Sequence, residues 1–218
     1  MDRSRVAIVI PALNESASIA FVVEAARRYG MPIVVDDGST DNTAALAMQA
    51  GAVVVSHENN RGYDAALNSG FKKAAELCSD VIITVDADGQ HAPSLIQKFV
   101  DAIDAGADVV VGIRSRRQRF AEHLFAWYTR FRFGIKDPLC GMKAYRIKVY
   151  QALGHFDSYG SVGTELMIFA AKHGYRLGQI KFEVRERKGQ SRFGQILGGN
   201  YKIIRAMLLT TLRVKSIP

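Results

Sequence analysis

Asp86 and Asp88 stand two residues apart, directly after the apolar run Val81 to Val85. In extended chain, side chains two apart point the same way, so a break after Val85 lets both carboxylates face one point. No Lys or Arg sits beside them, and hard oxygen donors of this kind suit Mg²⁺ or Mn²⁺, ions that complete their shells with water and substrate phosphates. The matching partner is a nucleoside diphosphate. An Asp-x-Asp pair alone is a common solvated loop, and its place after an apolar strand is what sets this one apart.

Two further polar clusters follow apolar runs: Pro11-Ala12-Leu13-Asn14-Glu15, and Asp36-Asp37-Gly38-Ser39-Thr40-Asp41. Asp-Asp-Gly-Ser is an excellent turn sequence, and a turn is the ordinary reading of that composition. Three clusters in register after three strands are harder to assign to turns. The histidines form no site of their own: His91 follows the Asp86 cluster, while His57, His123, His155 and His173 lack partners at ligand spacing.

The elements that must position these clusters alternate. Strands are predicted at Arg5 to Ile10, Ile33 to Val35, Val53 to Ser56, Val81 to Val85 and Asp108 to Val111. Helices are predicted between them at Ser16 to Tyr29, Asn42 to Ala50, Tyr63 to Leu77 and Ser94 to Ala105, with Ser16 and Asn42 as N-caps and Gly30, Gly51 and Gly106 as stops. Runs such as VAIVI and VIITV are apolar on both faces, which predicts a mostly parallel sheet with helices on both sides. In such an α/β fold, ligands bind beyond the carboxyl ends of the strands. All three polar clusters fall there.

After Ile113 the rhythm changes. The basic segment RSRRQR leads to a helix around Ala121 to Phe133, the loop KDPLCG, and a short strand from Met142 to Tyr145. Then follow a helix near Glu165 to His173, a strand from Arg176 to Val184, a polar loop from Arg185 to Arg192, and an amphipathic helix near Ile196 to Leu212. One domain over 1–218 is expected, with a nucleotide-binding half at 1–113, an acceptor-side half at 114–194 and the C-terminal helix at 195–218. The final helix is read as core packing first, with an interfacial membrane helix as the alternative.

Charge divides along the same line. Through Ile113 there are 8 Lys and Arg against 15 Asp and Glu; from Arg114 onward there are 21 against 6. An acidic half suits a cation, and a basic half suits phosphates, nucleic acid or an anionic membrane surface. Cys78 and Cys140 are far apart with no zinc-type spacing, so neither a zinc site nor a disulfide framework is indicated. The reading is a cytoplasmic chain without a leader or spanning segment, with possible peripheral contact at the inner face of the membrane.

The segments PALNE, VVDDGSTDNT, NRGYDAALNSG, VDADGQH, DPLCGMKAYR and RERKGQSRFG occur in the order seen in family 2 of the nucleotide-sugar glycosyltransferases. The chain resembles the dolichyl-phosphate mannose synthase and polyprenyl-phosphate branch of that family from Pro11 to Gly194. The resemblance implies the GT-A fold and an inverting, metal-dependent transfer of a sugar from a UDP- or GDP-sugar. It implies that Pro11, Ala12, Asn14, Glu15, Val35 and Asp37 line the base and ribose pocket, with Asp86, Ala87 and Asp88 on the ribose-diphosphate side. Metal ligation by Asp86, Asp88 and Gln90 follows, and Arg114 falls near the diphosphate. Arg187, Ser191 and Arg192 match a mobile basic loop, in which Arg185 competes with Arg187 for the family position. Asp137 and Lys143 match a block beside sugar and acceptor, where Asp137 would take a sugar hydroxyl and Lys143 an acceptor phosphate.

Breaking the sugar to diphosphate bond leaves negative charge on the leaving group, which a metal and arginines can stabilise. Catalytic roles therefore fall to Asp88, Asp137, Arg187 and Arg192, and Ser191 joins Lys143 on the acceptor side. Where family members acting on hydroxyls carry an acidic pair, Gly163-Thr164-Glu165-Leu166 offers one acid. A hydroxyl acceptor benefits from a general base, whereas a phosphate monoester is already anionic and needs only positioning. A polyprenyl phosphate acceptor is favoured. Glu165 and Asp137 stay open as bases, and the alternative is transfer to a glycan hydroxyl in surface polysaccharide synthesis. A nucleotidylyltransferase is disfavoured because PALNE replaces its Gly-rich loop. Nucleic-acid binding is disfavoured because it leaves the acidic clusters without a task.

Overall fold

The computed structural model describes residues 2–115, 119–183 and 196–213, with side chains in the last stretch described for 199–210. Seven strands form one sheet: β1 (Val6–Ala12), β2 (Met31–Asp36), β3 (Val53–Ser56), β4 (Val81–Thr84), β5 (Val109–Arg114), β6 (Lys143–Arg146) and β7 (Leu177–Phe182). Their order is β3-β2-β1-β4-β6-β5-β7, parallel throughout except that β6 runs antiparallel to both β4 and β5. The helices are α1 (Ile19–Ala26), α2 (Thr43–Gln49), α3 (Tyr63–Glu76), α4 (Ser94–Asp104), α5 (Phe120–Phe133), α6 (Ile147–Leu153), α7 (Glu165–Lys172) and α8 (Ile196–Arg213).

Strand alternation divides the core in two. Val6, Ile8 and Ile10 of β1 join one cluster with Val22 and Val23 of α1 and Phe99 and Ile103 of α4. Ala7 and Val9 join the opposite cluster with Leu67 and Phe71 of α3, Phe125 of α5, Val149 of α6 and Leu166 to Ala170 of α7. A strand buried on both faces needs apolar residues at every position, which is how VAIVI and VIITV read. The helix-covered, mostly parallel α/β sheet expected from the sequence is the fold observed. α3 approaches the sheet closely at Gly70, where a Cβ would overlap Val9.

Some boundaries differ for physical reasons. β1 runs on through Pro11 because its pairing with β4 ends at Val9↔Thr84, leaving no neighbour on that side to need the missing N–H, while Pro11↔Val35 pairing with β2 continues. β5 extends to Arg114 because β7 runs beside it as far as Phe182. α1 starts at Ile19, behind Ser18, not at the predicted Ser16. Ser16 and Glu15 are instead tied by their backbone N–H groups to Asp41 (3.2 Å) and Thr43 (2.8 Å). α6 was not predicted: its seven residues follow β6 without a break and include Ile147 and Val149, which favour strands.

Candidate active site

The loops after β1 and β2 are stitched together by side chains. Asn14, at φ 49°, occupies the left-handed region that Asn tolerates. Its N–H donates to Ser39 Oγ at 2.8 Å, and its Oδ1 accepts from the Thr40 N–H at 2.7 Å. Asp41 accepts from the N–H groups of Thr43 and Ser16 and from the Thr43 hydroxyl. Burial pushes its pKa up, but these hydrogen bonds outweigh that and hold it at about 2.

Asp37 is buried and committed to its own shell. Its Oδ1 lies 2.7 Å from His57 Nδ1 and accepts from the Arg61 N–H at 2.9 Å, while Oδ2 accepts from Gly62 at 2.8 Å. His57 in turn reaches Ser69 at 2.8 Å. The sequence reading left His57 without partners; the structure makes it the bridge between Asp37 and α3. Val35 is fully buried with its side chain beneath α3, where a Cβ on Gly70 would come within 3.2 Å of it. Of the expected pocket lining, Pro11 is half-buried, Ala12 and Ala87 are buried, and Asn14 and Glu15 sit in the loop joined to β2.

At the end of β4, Val85 still donates to Val9, and the chain then turns. The Asp86 carboxylate is 35% exposed, and Asp88 Oδ1 accepts from the Gln90 N–H at 3.0 Å. Buried His91 sets its Nε2 3.9 Å from Asp86 and stands edge-on to Phe182. Across from Asp86 runs the segment leading into β6. Thr84 Oγ1 donates to the Gly141 carbonyl at 2.6 Å and accepts from the Lys143 N–H at 3.0 Å. A Cβ on Gly141 would lie 2.6 Å from Asp86 Oδ1, so only glycine allows this approach. Carboxylate oxygens of this kind are hard donors that suit Mg²⁺ or Mn²⁺, although among the described residues no group of three or more His, Cys, Asp or Glu is placed to hold a metal ion.

Lys143, expected on the acceptor side, is buried. Lys143 is 3% exposed, and its ammonium donates to the Gly163 carbonyl at 2.9 Å. Burial pulls its pKa down to about 8, against the opposing charges of Asp137 and Asp86. Gly163 and Val162 donate in turn to the Asp64 carboxylate of α3, at 2.7 and 3.2 Å. Asn68, one turn along α3, accepts from Phe156 and Asp157, whose own carboxylate collects the N–H groups of Tyr159, Gly160 and Ser161. Sequence reasoning missed Asp64, Asn68 and Asp157. The available signal was the i, i+4 spacing of Asp64 and Asn68 within NRGYDAALNSG.

Three residues given roles from the sequence stand in partnerships that the sequence did not foresee. Asp137, read as a group for a sugar hydroxyl, is 1% exposed and held on both oxygens by Arg114. Arg114, read as a diphosphate contact, pairs with Asp137 and also reaches Glu122 at 3.2 Å. Burial alone would lower its pKa, but Asp137 more than offsets this and raises it. Glu165, considered as a base, is 5% exposed and accepts from both the N–H and hydroxyl of Ser158 and from His155. Arg185, Arg187, Ser191 and Arg192 lie outside the described residues.

Residues 7–158 match the model of Glycosyl transferase family 2, and the chain belongs to that family. It is 31% identical over 208 residues to a dolichyl-phosphate hexose transferase of Haloferax volcanii, covering 88% of each chain. It is also 31% identical over 209 residues to a polyprenol monophosphomannose synthase of Mycolicibacterium smegmatis, covering 84% of this chain and 78% of the other. Among solved structures, glucosyl-3-phosphoglycerate synthase from Mycobacterium tuberculosis, in complex with Mn²⁺, UDP and phosphoglyceric acid, superposes with a TM-score of 0.77. It shares 25% identity over 99% of this chain and 80% of its own. The protein is a glycosyltransferase with the GT-A fold.

Proposed function

We propose that this glycosyltransferase moves a sugar, with inversion, from a UDP- or GDP-sugar to the phosphate of a polyprenyl phosphate. One observation carries the choice of acceptor: both carboxylates considered as general bases, Asp137 and Glu165, are buried and saturated by partners. A hydroxyl nucleophile gains about 10²- to 10⁴-fold from a placed base. A phosphate monoester attacks as an anion and needs none. The names of the Haloferax and Mycolicibacterium relatives support the same acceptor class.

In this reading the stitched loops after β1 and β2 receive the nucleoside, and the turn after β4 receives its diphosphate. Asp86, Asp88 and Gln90 would hold Mg²⁺ or Mn²⁺, which when bound supplies positive charge beside the leaving diphosphate. Arg187 and Arg192 are assigned the remaining charge of that leaving group, and Ser191 the acceptor side. Lys143, through its bond to the Gly163 carbonyl, is assigned to fix the 162–163 turn on the acceptor side.

Calorimetric titration with UDP and with GDP, each with Mn²⁺, Mg²⁺ or chelator, tests the donor side. Metal-dependent binding of one nucleotide is expected. Absence of binding to both, by folded protein under every condition, contradicts the proposal.

A further inference from the structure

Large hydrophobic side chains on α5 are turned outward in a single stripe. Phe120, Trp127 and Phe131 are 77%, 67% and 86% exposed. Their spacing of seven and four residues puts them on one side of the helix, opposite buried Phe125 and Thr129. The Trp127 and Phe131 rings stack at 6.3 Å and thereby form one continuous apolar surface. α8 packs against α5 and carries a second exposed stripe at helical spacing, Tyr201, Ile204 and Leu208.

The aromatic stripe is bordered by cations. Trp127 shares the wall of an open groove of about 460 Å³ with His123, Arg130, Lys136 and Lys181. This groove lies beside the Arg114–Asp137 pair: Ile113 in its wall precedes Arg114, and Lys136 precedes Asp137. Exposed apolar patches rimmed by one sign of charge mark interaction surfaces. A second copy of the chain fits poorly, because a two-fold contact would bring these cations against each other. Stacked nucleobases would account for the aromatic rings but not for Ile204 and Leu208. Aromatic rings at the headgroup level, with Lys and Arg reaching phosphates, match an anionic bilayer surface.

We propose that the outer face of α5, centred on Trp127 and Phe131 and flanked by Arg130, Lys136 and Lys181, docks the enzyme on an anionic membrane. The inference deepens and rests on the lipid-linked acceptor reading, since such an acceptor is met at a bilayer. Docking of this kind is a peripheral contact; among the described residues no helix is long and apolar enough to cross a membrane.

Trp127 is the chain's single tryptophan, so its emission reports this face directly. The full chain would be mixed with vesicles of phosphatidylcholine containing roughly one-third phosphatidylglycerol, with no polyprenyl phosphate present. Co-sedimentation and a blue shift of Trp127 emission are expected, both weakened by salt and both reduced at least about tenfold by Phe131→Glu or by Lys136→Glu with Lys181→Glu. Transfer to a short-chain, water-soluble prenyl phosphate should stay within about twofold of wild type in these variants, which also shows that they fold.

Absence of vesicle binding by a wild-type protein that transfers sugar to the soluble acceptor overturns the docking face and leaves the acceptor reading standing. Vesicle binding without any transfer to a prenyl phosphate has the opposite meaning. Binding that Phe131→Glu leaves unchanged overturns the assignment to α5. A Trp127 shift that needs only higher protein concentration, or only an oligonucleotide, assigns the face to a second copy or to nucleic acid and overturns it as well.

Discussion

Arg114 holds Asp137 in a bidentate clasp, with Nε 2.9 Å from Oδ2 and Nη2 2.9 Å from Oδ1, while its own backbone N–H donates to Oδ2 at 3.0 Å. The pair joins the end of β5 to the segment that leads into β6. Arg114→Ala would leave buried Asp137 without its ion-pair partner, while Glu122 keeps Arg119 at 3.6 Å, and stranding one buried carboxylate costs roughly 3–5 kcal/mol. Urea denaturation should show a lower midpoint by that amount. A loss below about 0.5 kcal/mol, the usual size for a surface substitution, would mean the clasp does not hold the fold.

Gly141→Ala tests the approach of the β6 lead-in to Asp86. The added methyl group would sit 2.6 Å from the carboxylate oxygen Oδ1 and must push Asp86 or the Gly141 backbone aside. Misplacing a reacting group by about an ångström costs on the order of 10²-fold in rate. The expected result is a loss of that order in kcat with a change in stability of only about 1–3 kcal/mol.

Glu165→Gln separates a structural acid from a general base. Its carboxylate accepts from Ser158 and His155 and shapes the turn before α7. The amide keeps one of the two acceptor oxygens and the shape of the side chain, so steady-state turnover is expected to fall by less than about tenfold. A drop of about 10²- to 10⁴-fold, the contribution of a lost general base, would favour a hydroxyl acceptor instead.

Asp64 gives a pH signature. Burial, and then the charge of Asp157, raise its pKa from 3.8 to about 6, although Gly163 and Val162 donate to it. Between those two values the folded state holds a proton that the unfolded state has lost, so the contribution of Asp64 to stability is most favourable below about pH 4 and falls as pH rises through about 6. The shift corresponds to about 3 kcal/mol at most. Asp64→Asn should flatten this part of the stability profile measured by denaturation at stepped pH, and an unchanged slope would assign it to other groups.

The sheet was legible because burial on both faces writes itself as unbroken apolar runs, VAIVI and VIITV, with turn residues after each. The carboxylates Asp86 and Asp88 were legible because they follow such a run. Contacts made by the tertiary fold were not: Arg114 and Asp137 are 23 residues apart, and nothing local shows that β5 returns beside the Asp137 loop. The same applies to His57, whose partners Asp37 and Ser69 come from a different strand end and from α3. Asp137 is the clearest case, since its place in DPLCG shows neither its burial nor its ion pair with Arg114.

The central claim is transfer of a nucleotide-activated sugar to a polyprenyl phosphate at the Asp86 and Asp88 turn. Its most direct measurement is the formation of a glycosyl phosphoryl polyprenol from radiolabelled UDP- and GDP-sugars, by the wild type and by Asp88→Ala, with and without chelator. One donor should give the product, with formation lost on chelation and at least about 10²-fold lower in Asp88→Ala. Equal product from Asp88→Ala, or sugar transferred to a glycan hydroxyl while polyprenyl phosphate stays unmodified, would contradict the account.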